Sequence, residues 1–218
     1  MEIKTRLVAG FEPALKGARN PKDSWHLIDS TYDENGRFII GERDLGLAQR
    51  LIKAGNEHMK FMRQIQVWAD MNMTRFFWSE MDTYKFNSKN SCSTIHKLLN
   101  PKNEISIDMF DFYPCDIDVV TIVINRLNEI RELFLNAKTN DEKIILKRRA
   151  KTLLFEGFLQ MRTVNTNYAE IRHIVSQRKN HQMKPDWQDT YCKWATTLPY
   201  AKELIFCGME DYYEKFSS

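Results

Sequence analysis

From residue 117 onward, apolar side chains recur at helical spacing in four successive segments: Ile117 to Ala137, Asp141 to about Phe155, Asn165 to Asn180, and Trp187 to about Ile205. Pro199 is placed to break or kink the last of them. The N-terminal part reads differently. Ile3 to Val8 alternates as a strand does, and the stretches Gly17 to Asp23 and Asp33 to Gly36 have loop and turn chemistry around Trp25 and Ile28. One helix is expected there, from Glu42 to Ala54, with Leu45, Leu47, Ala48, Leu51 and Ile52 at helical spacing and Gly55 as its stop. Phe61 to Ala69 alternates again, and Asp70, Asn72 or Thr74 is suited to cap a helix running to about Lys85. The residues that follow, FNSKNSCST, are too polar for a core and predict a loop rich in hydrogen-bonding groups. Strands first and helices afterwards predict an α+β fold, a mostly antiparallel sheet with a helical layer on one face.

With 218 residues, the chain is long enough for one core, and a single α+β domain over 1–218 is the expectation. Basic and acidic groups nearly cancel at a net charge of +3, which gives no general affinity for nucleic acid or membrane surfaces. The basic run Lys147-Arg148-Arg149 with Lys151 reads as a solvated helix face. Neither a signal peptide nor a transmembrane segment is recognisable, so a cytoplasmic protein is expected. Cys92, Cys115, Cys192 and Cys207 lack metal-ligand spacing, and no metal site is expected. Cys92 reads as a small packing residue, and the five tryptophans as core. Phosphate loops of the GxGxxG and GxxxxGK[ST] types, the GxSxG elbow and HExxH are all absent.

Two separated stretches carry the functional signal. Glu57-His58-Met-Lys-Phe61 precedes TYKFNSKNSCSTIH at residues 83–96, and Asn167-Tyr-Ala-Glu-Ile-Arg-His173-Ile-Val-Ser-Gln-Arg178 lies further on. Together they resemble the flavin-dependent thymidylate synthases, which carry Glu-His-x-x-Phe, then RHRxxSxNxxSxRY, then NxRxLxHFxxLR. Ser88, Asn90 and Ser93 match the signature, while Thr83, Tyr84 and Lys85 replace Arg-His-Arg, and Ile95 and His96 replace its closing Arg-Tyr. In the third block Asn167, His173 and Arg178 match, and Ala169 replaces an arginine. Lys151 falls where the family has a further arginine, and Glu80 where it has glutamine.

The resemblance implies reductive methylation of dUMP or a related pyrimidine nucleotide, with FAD as cofactor, methylenetetrahydrofolate giving the carbon and NADPH as reductant. It implies an enzyme, a flavin-dependent methyltransferase, assembled as a homotetramer. It assigns His58 and Arg178 to catalysis. His58, Tyr84, Lys85, Asn167 and His173 would lie at the flavin, and Glu80, Ser88, Asn90, Ser93, Lys151 and Arg178 at the nucleotide. Arg63, Arg75, Lys89 or Lys97 could replace the missing cations. Two other functions fit the same residues: a nucleotide-binding protein on this fold that has lost flavin chemistry, and a helical protein-interaction module. Independently of any family, Asn167 and Arg178, eleven residues apart, would share one helix stripe about 16 Å apart if both were helical.

Overall fold

The computed structural model describes residues 1–218. In chain order its elements are β1 (Glu2–Ala9), α1 (Phe11–Arg19), β2 (Thr31–Tyr32), β3 (Phe38–Ile39), α2 (Glu42–Lys53), β4 (Gln66–Thr74), α3 (Arg75–Met81) and β5 (Ser88–Ser91). Then come α4 (Thr94–Leu98), α5 (Ile117–Asn136), α6 (Asn140–Leu153), β6 (Leu159–Asn167), α7 (Tyr168–Arg178), α8 (Lys184–Asp186), α9 (Lys193–Thr196) and α10 (Glu210–Ser217). The fold is α+β, as the order of elements predicts. Four strands form an antiparallel sheet in the order β1-β4-β6-β5, and β2 pairs with β3 in a separate hairpin. The chain divides into two compact units, one of Met1–Glu2, Met71–Thr83 and Asn90–Arg162, the other of Ile3–Asp70, Tyr84–Lys89 and Thr163–Ser218.

In the first unit, Thr74 caps α3 by accepting the Phe77 N–H at 3.2 Å. The helix ends at Met81, short of the expected Lys85, and Thr83 folds its hydroxyl back onto the Glu80 carbonyl. α5 and α6 occur where the apolar spacing predicts them. A reciprocal cap of Thr139 and Glu142 starts α6. The two helices bury Val120, Ile124, Leu127, Ile130, Leu146 and Ala150 in a core shared with Leu98, Phe110 and Phe158. Arg131 is also buried there, and its guanidinium donates to the carbonyls of Asn100 and Pro101, which pins the loop after α4.

In the second unit, α1 lies where irregular chain was expected. Phe11, Ala14 and Leu15, at helical spacing, are all buried. Gly10 starts it with a φ of +98°, and a Cβ at that position would lie 2.4 Å from the Gln64 carbonyl oxygen, so only glycine fits. α2 ends beside Gly55 at a φ of +105°, as its sequence predicts. The expected strand Phe61–Ala69 is displaced. Met59–Gln64 forms a 3₁₀ turn that buries both Phe61 and Met62, which strand alternation would have put on opposite faces, and β4 begins at Gln66.

The loop expected at FNSKNSCST contains β5, whose exposed polar side chains suit a sheet edge. The helix expected from Asn165 begins only at Tyr168, because Leu159–Asn167 is β6. Asn167 is extended (φ −140°) and caps α7 by accepting the Glu170 N–H at 3.0 Å. It therefore shares no helix stripe with Arg178. The chain does break at Leu198-Pro199-Tyr200, where Tyr200 takes a φ of +54°. Four tryptophans are at least half-buried, whereas Trp25 is 44% exposed.

Candidate functional site

Two neighbourhoods of the second unit hold the candidate residues. In the first, α1, α2 and the 3₁₀ turn enclose a cavity of about 780 Å³, within the range that accepts nucleotides and cofactors. His58 lines it with Arg19, Lys22, Arg50 and Lys60, and Glu57 is the one acidic residue of the lining. Arg19 is buried, its Nε donating to Asp44 Oδ1 at 2.6 Å. Asp44 also accepts from the Ser30 hydroxyl and from the backbone N–H groups of Asp29 and Ser30. Burial opposes its ionisation, but the bonds from Ser30, Arg19 and Asp29 outweigh it and hold the carboxyl below the usual carboxylate range. The far end of the same guanidinium, Nη2, is buried without a protein partner. A cavity lined by Lys22, Arg50 and Lys60 against a single carboxylate is a fit for an anionic group such as the phosphates of FAD or a nucleotide.

The second neighbourhood is built around Arg178, the last residue of α7. Its Nε donates to Tyr84 Oη at 2.8 Å, and Nη1 lies 2.7 Å from His181 Nε2. The guanidinium carbon sits 4.4 Å from the Trp187 ring centroid and 5.6 Å from that of Tyr84. Tyr84 in turn donates to Gln177 and meets the His173 ring edge-on at 5.9 Å. The loop carrying Tyr84 is tied to the start of α7. Glu170 accepts the Phe86 N–H, and Thr166 donates to the Phe86 carbonyl. On that loop Asn87 Oδ1 is a buried acceptor without a partner, and the Phe86 ring is 64% exposed beneath the Arg63 guanidinium.

The structure thus brings Tyr84, His173 and Arg178 together and sets His58 in the basic cavity. Lys85 and Ser88 are exposed on the Tyr84 side of the loop and β5, and Asn167 is occupied as a helix cap. Glu80, Asn90, Ser93 and Lys151 belong to the first unit. There Ser93 caps α4, Asn90 is exposed on β5, Glu80 is half-buried on α3, and Lys151 is exposed on α6. Of the cations that could replace the missing arginines, Arg75 is committed to the Leu154 carbonyl and Glu156, and Lys97 to the Leu159 carbonyl. Cys92 is exposed, and no group of metal-binding side chains is present. Burial pushes the Cys192 thiol up to about 12, which leaves it a core residue.

Trp187, His181, Glu170 and Arg19 were not among the sequence candidates. Asn167 and Glu170 do have the spacing of a capping box, but nothing local marks the Glu170 carboxylate as the anchor of Phe86.

No protein-family model matches the chain, and no curated protein matches its sequence. Solved structures do match. The crystal structure of thymidylate synthase X (ThyX) from Helicobacter pylori with FAD and dUMP aligns at a TM-score of 0.69 and 16% identity, covering 98% of this chain and 99% of that one. The chain has the ThyX fold. A second structure of the flavin-dependent thymidylate synthase ThyX from the same organism, complexed with FAD and dUMP, aligns at a TM-score of 0.67 and 18% identity over 94% of this chain and 98% of that one. In both alignments the shared fold extends over nearly all of this chain. No helix here is long and apolar enough to cross a membrane.

Proposed function

We propose that this chain is a flavin-dependent thymidylate synthase-like protein that binds FAD and a pyrimidine nucleotide and carries out reductive methylation of dUMP or a close relative. Methylenetetrahydrofolate would give the carbon and NADPH the electrons. The reading is carried by the cavity at His58, lined by Lys22, Arg50 and Lys60, on a chain of ThyX fold. Bound flavin supplies hydride transfer, which no side chain can. The protein's part is binding and orientation. Lys22, Arg50 and Lys60 neutralise phosphate charge, and the His58 imidazole lines the same cavity. Phe86 and His173, both exposed, offer ring surfaces for a planar ligand.

A second reading has its own observation. Arg178, the family's nucleotide-gripping cation, is engaged by Tyr84, His181 and Trp187, an arrangement compatible with a nucleotide binder that no longer performs flavin chemistry.

Visible absorption of the protein after gel filtration with FAD, and again with dUMP, tests both. The enzyme reading expects flavin bands that co-elute and shift when dUMP is added, followed by dTMP formation with the folate and NADPH. A colourless protein that still binds dUMP removes the enzyme reading in favour of the binder, and failure to bind either ligand removes both.

A further inference from the structure

A second cavity lies in the same unit as the one at His58 and shares no lining residue with it. It measures about 690 Å³ and is bounded by the end of β1, the start of α1, the β2–β3 hairpin and the chain break at Pro199-Tyr200. The aromatic rings of Phe11, Tyr32, Phe38 and Tyr200 line it. Phe11 meets Tyr200 edge-on at 5.7 Å, and Tyr32 meets Phe38 edge-on at 5.2 Å. These rings are held by the fold. Tyr200 Oη accepts the Ile40 N–H at 3.0 Å and donates to the Phe38 carbonyl at 3.2 Å, which fastens the ring to the hairpin. Its φ of +54° is a costly conformation for a residue with a side chain, of the kind that persists where the surroundings over-determine it and that clusters at ligand sites.

Two opposite charges interrupt the apolar lining. Glu12 belongs to α1 and Arg37 to the hairpin, and both are exposed. Glu12 Oε2 accepts the Tyr32 hydroxyl at 2.9 Å, which leaves Oε1 open. Arg37 uses its backbone N–H toward Asp33, while its guanidinium has no hydrogen-bond or ion-pair partner in the protein. The rings call for a ligand with an aromatic body. The charges call for a zwitterion, because a phosphorylated compound would meet Glu12 and a simple amine would meet Arg37, each with like-charge repulsion.

We propose that this cavity binds a free aromatic amino acid, its side chain against the rings, its ammonium group on Glu12 and its carboxylate on Arg37. Aromatic faces add to the hold on the ammonium, and the guanidinium fork suits a carboxylate. The site is separate from the cation-lined cavity, so the inference holds whether or not flavin or nucleotide binds there.

Titration calorimetry with three phenyl compounds tests it: L-phenylalanine, phenethylamine, which lacks the carboxylate, and 3-phenylpropionate, which lacks the ammonium. L-Phenylalanine is expected to bind about tenfold or more tighter than either analogue, each of which forgoes a charged hydrogen bond. Glu12→Gln keeps an acceptor for Tyr32. It should weaken L-phenylalanine and phenethylamine and leave 3-phenylpropionate unchanged. Arg37→Gln should weaken L-phenylalanine and 3-phenylpropionate and leave phenethylamine unchanged. Both replaced side chains are exposed, so circular dichroism should match the parent. No binding of L-phenylalanine, an analogue that binds as tightly, or a substitution that weakens all three compounds alike would overturn the proposal.

Discussion

The Arg178 guanidinium lies 4.4 Å from the Trp187 ring centroid while its Nε holds the Tyr84 hydroxyl at 2.8 Å. A cation in that box is stabilised by ring quadrupoles and by a charged hydrogen bond, and it fixes the loop that follows α3 to the end of α7. Removing it therefore affects folding as well as any ligand.

Arg178→Ala is expected to destabilise the protein by about 2 kcal/mol, combining a cation–π contact with a hydrogen bond to a charged group. Arg178→Lys should recover less than half of that, since an ammonium lacks the planar fork. Urea unfolding of the two variants beside the parent measures both effects.

Arg50→Ala/Lys60→Ala removes two cavity cations without touching the core, as Lys60 is exposed and Arg50 lines the cavity near solvent. Affinity for FAD or dUMP, whichever seats its phosphate there, should fall about tenfold or more by titration calorimetry, one charged bond being worth roughly 1.5 to 3 kcal/mol. Thermal stability of the unliganded protein should stay within about 2 °C of the parent, as expected for surface substitutions.

Asp44 gives a pH dependence whose sign follows from its lowered folded value. A carboxylate held below its unfolded value of about 3.9 contributes stability that is fully present above that pH and is lost as pH falls through the folded value. Stability of the parent should therefore drop steeply below about pH 4. Asp44→Asn should be less stable at pH 7, because the buried Arg19 is left without its counter-charge, and should show a shallower acid limb in denaturation measured from pH 7 down to pH 2.

Gly10→Ala confronts both a φ of +98° and a Cβ placed 2.4 Å from the Gln64 carbonyl oxygen. A loss above about 2 kcal/mol is expected, and Gly36→Ala makes the comparison. Gly36 also has a positive φ but nothing within 4 Å of the added atom, so its loss should be the smaller in the same denaturation series.

Elements with a full helical period and a marked end were legible in the sequence. α2 with Gly55, and α5 and α6 by their apolar spacing, need no information from elsewhere in the chain. α1 was missed although Phe11, Ala14 and Leu15 recur at helical spacing, in a short stretch interrupted by Pro13 and Gly17, and the start of β4 was misplaced because the Phe61-Met62 pair buries both side chains in a 3₁₀ turn. At the candidate site, His58, Tyr84, His173 and Arg178 could be named only through the resemblance of their motifs to a known family. Their surroundings could not, since the Tyr84 loop is brought to Arg178 by chain far removed from it, and Trp187, nine residues on, meets it only because the chain turns back after α7.

The two ends of the four-stranded sheet are β1, with Lys4 and Arg6 in its middle, and β5, four polar residues long. Charge on one border and brevity on the other are what keep open backbone from templating another strand. Copies of this chain are thus discouraged from zipping together through their sheets, and a concentrated sample should resist fibril growth.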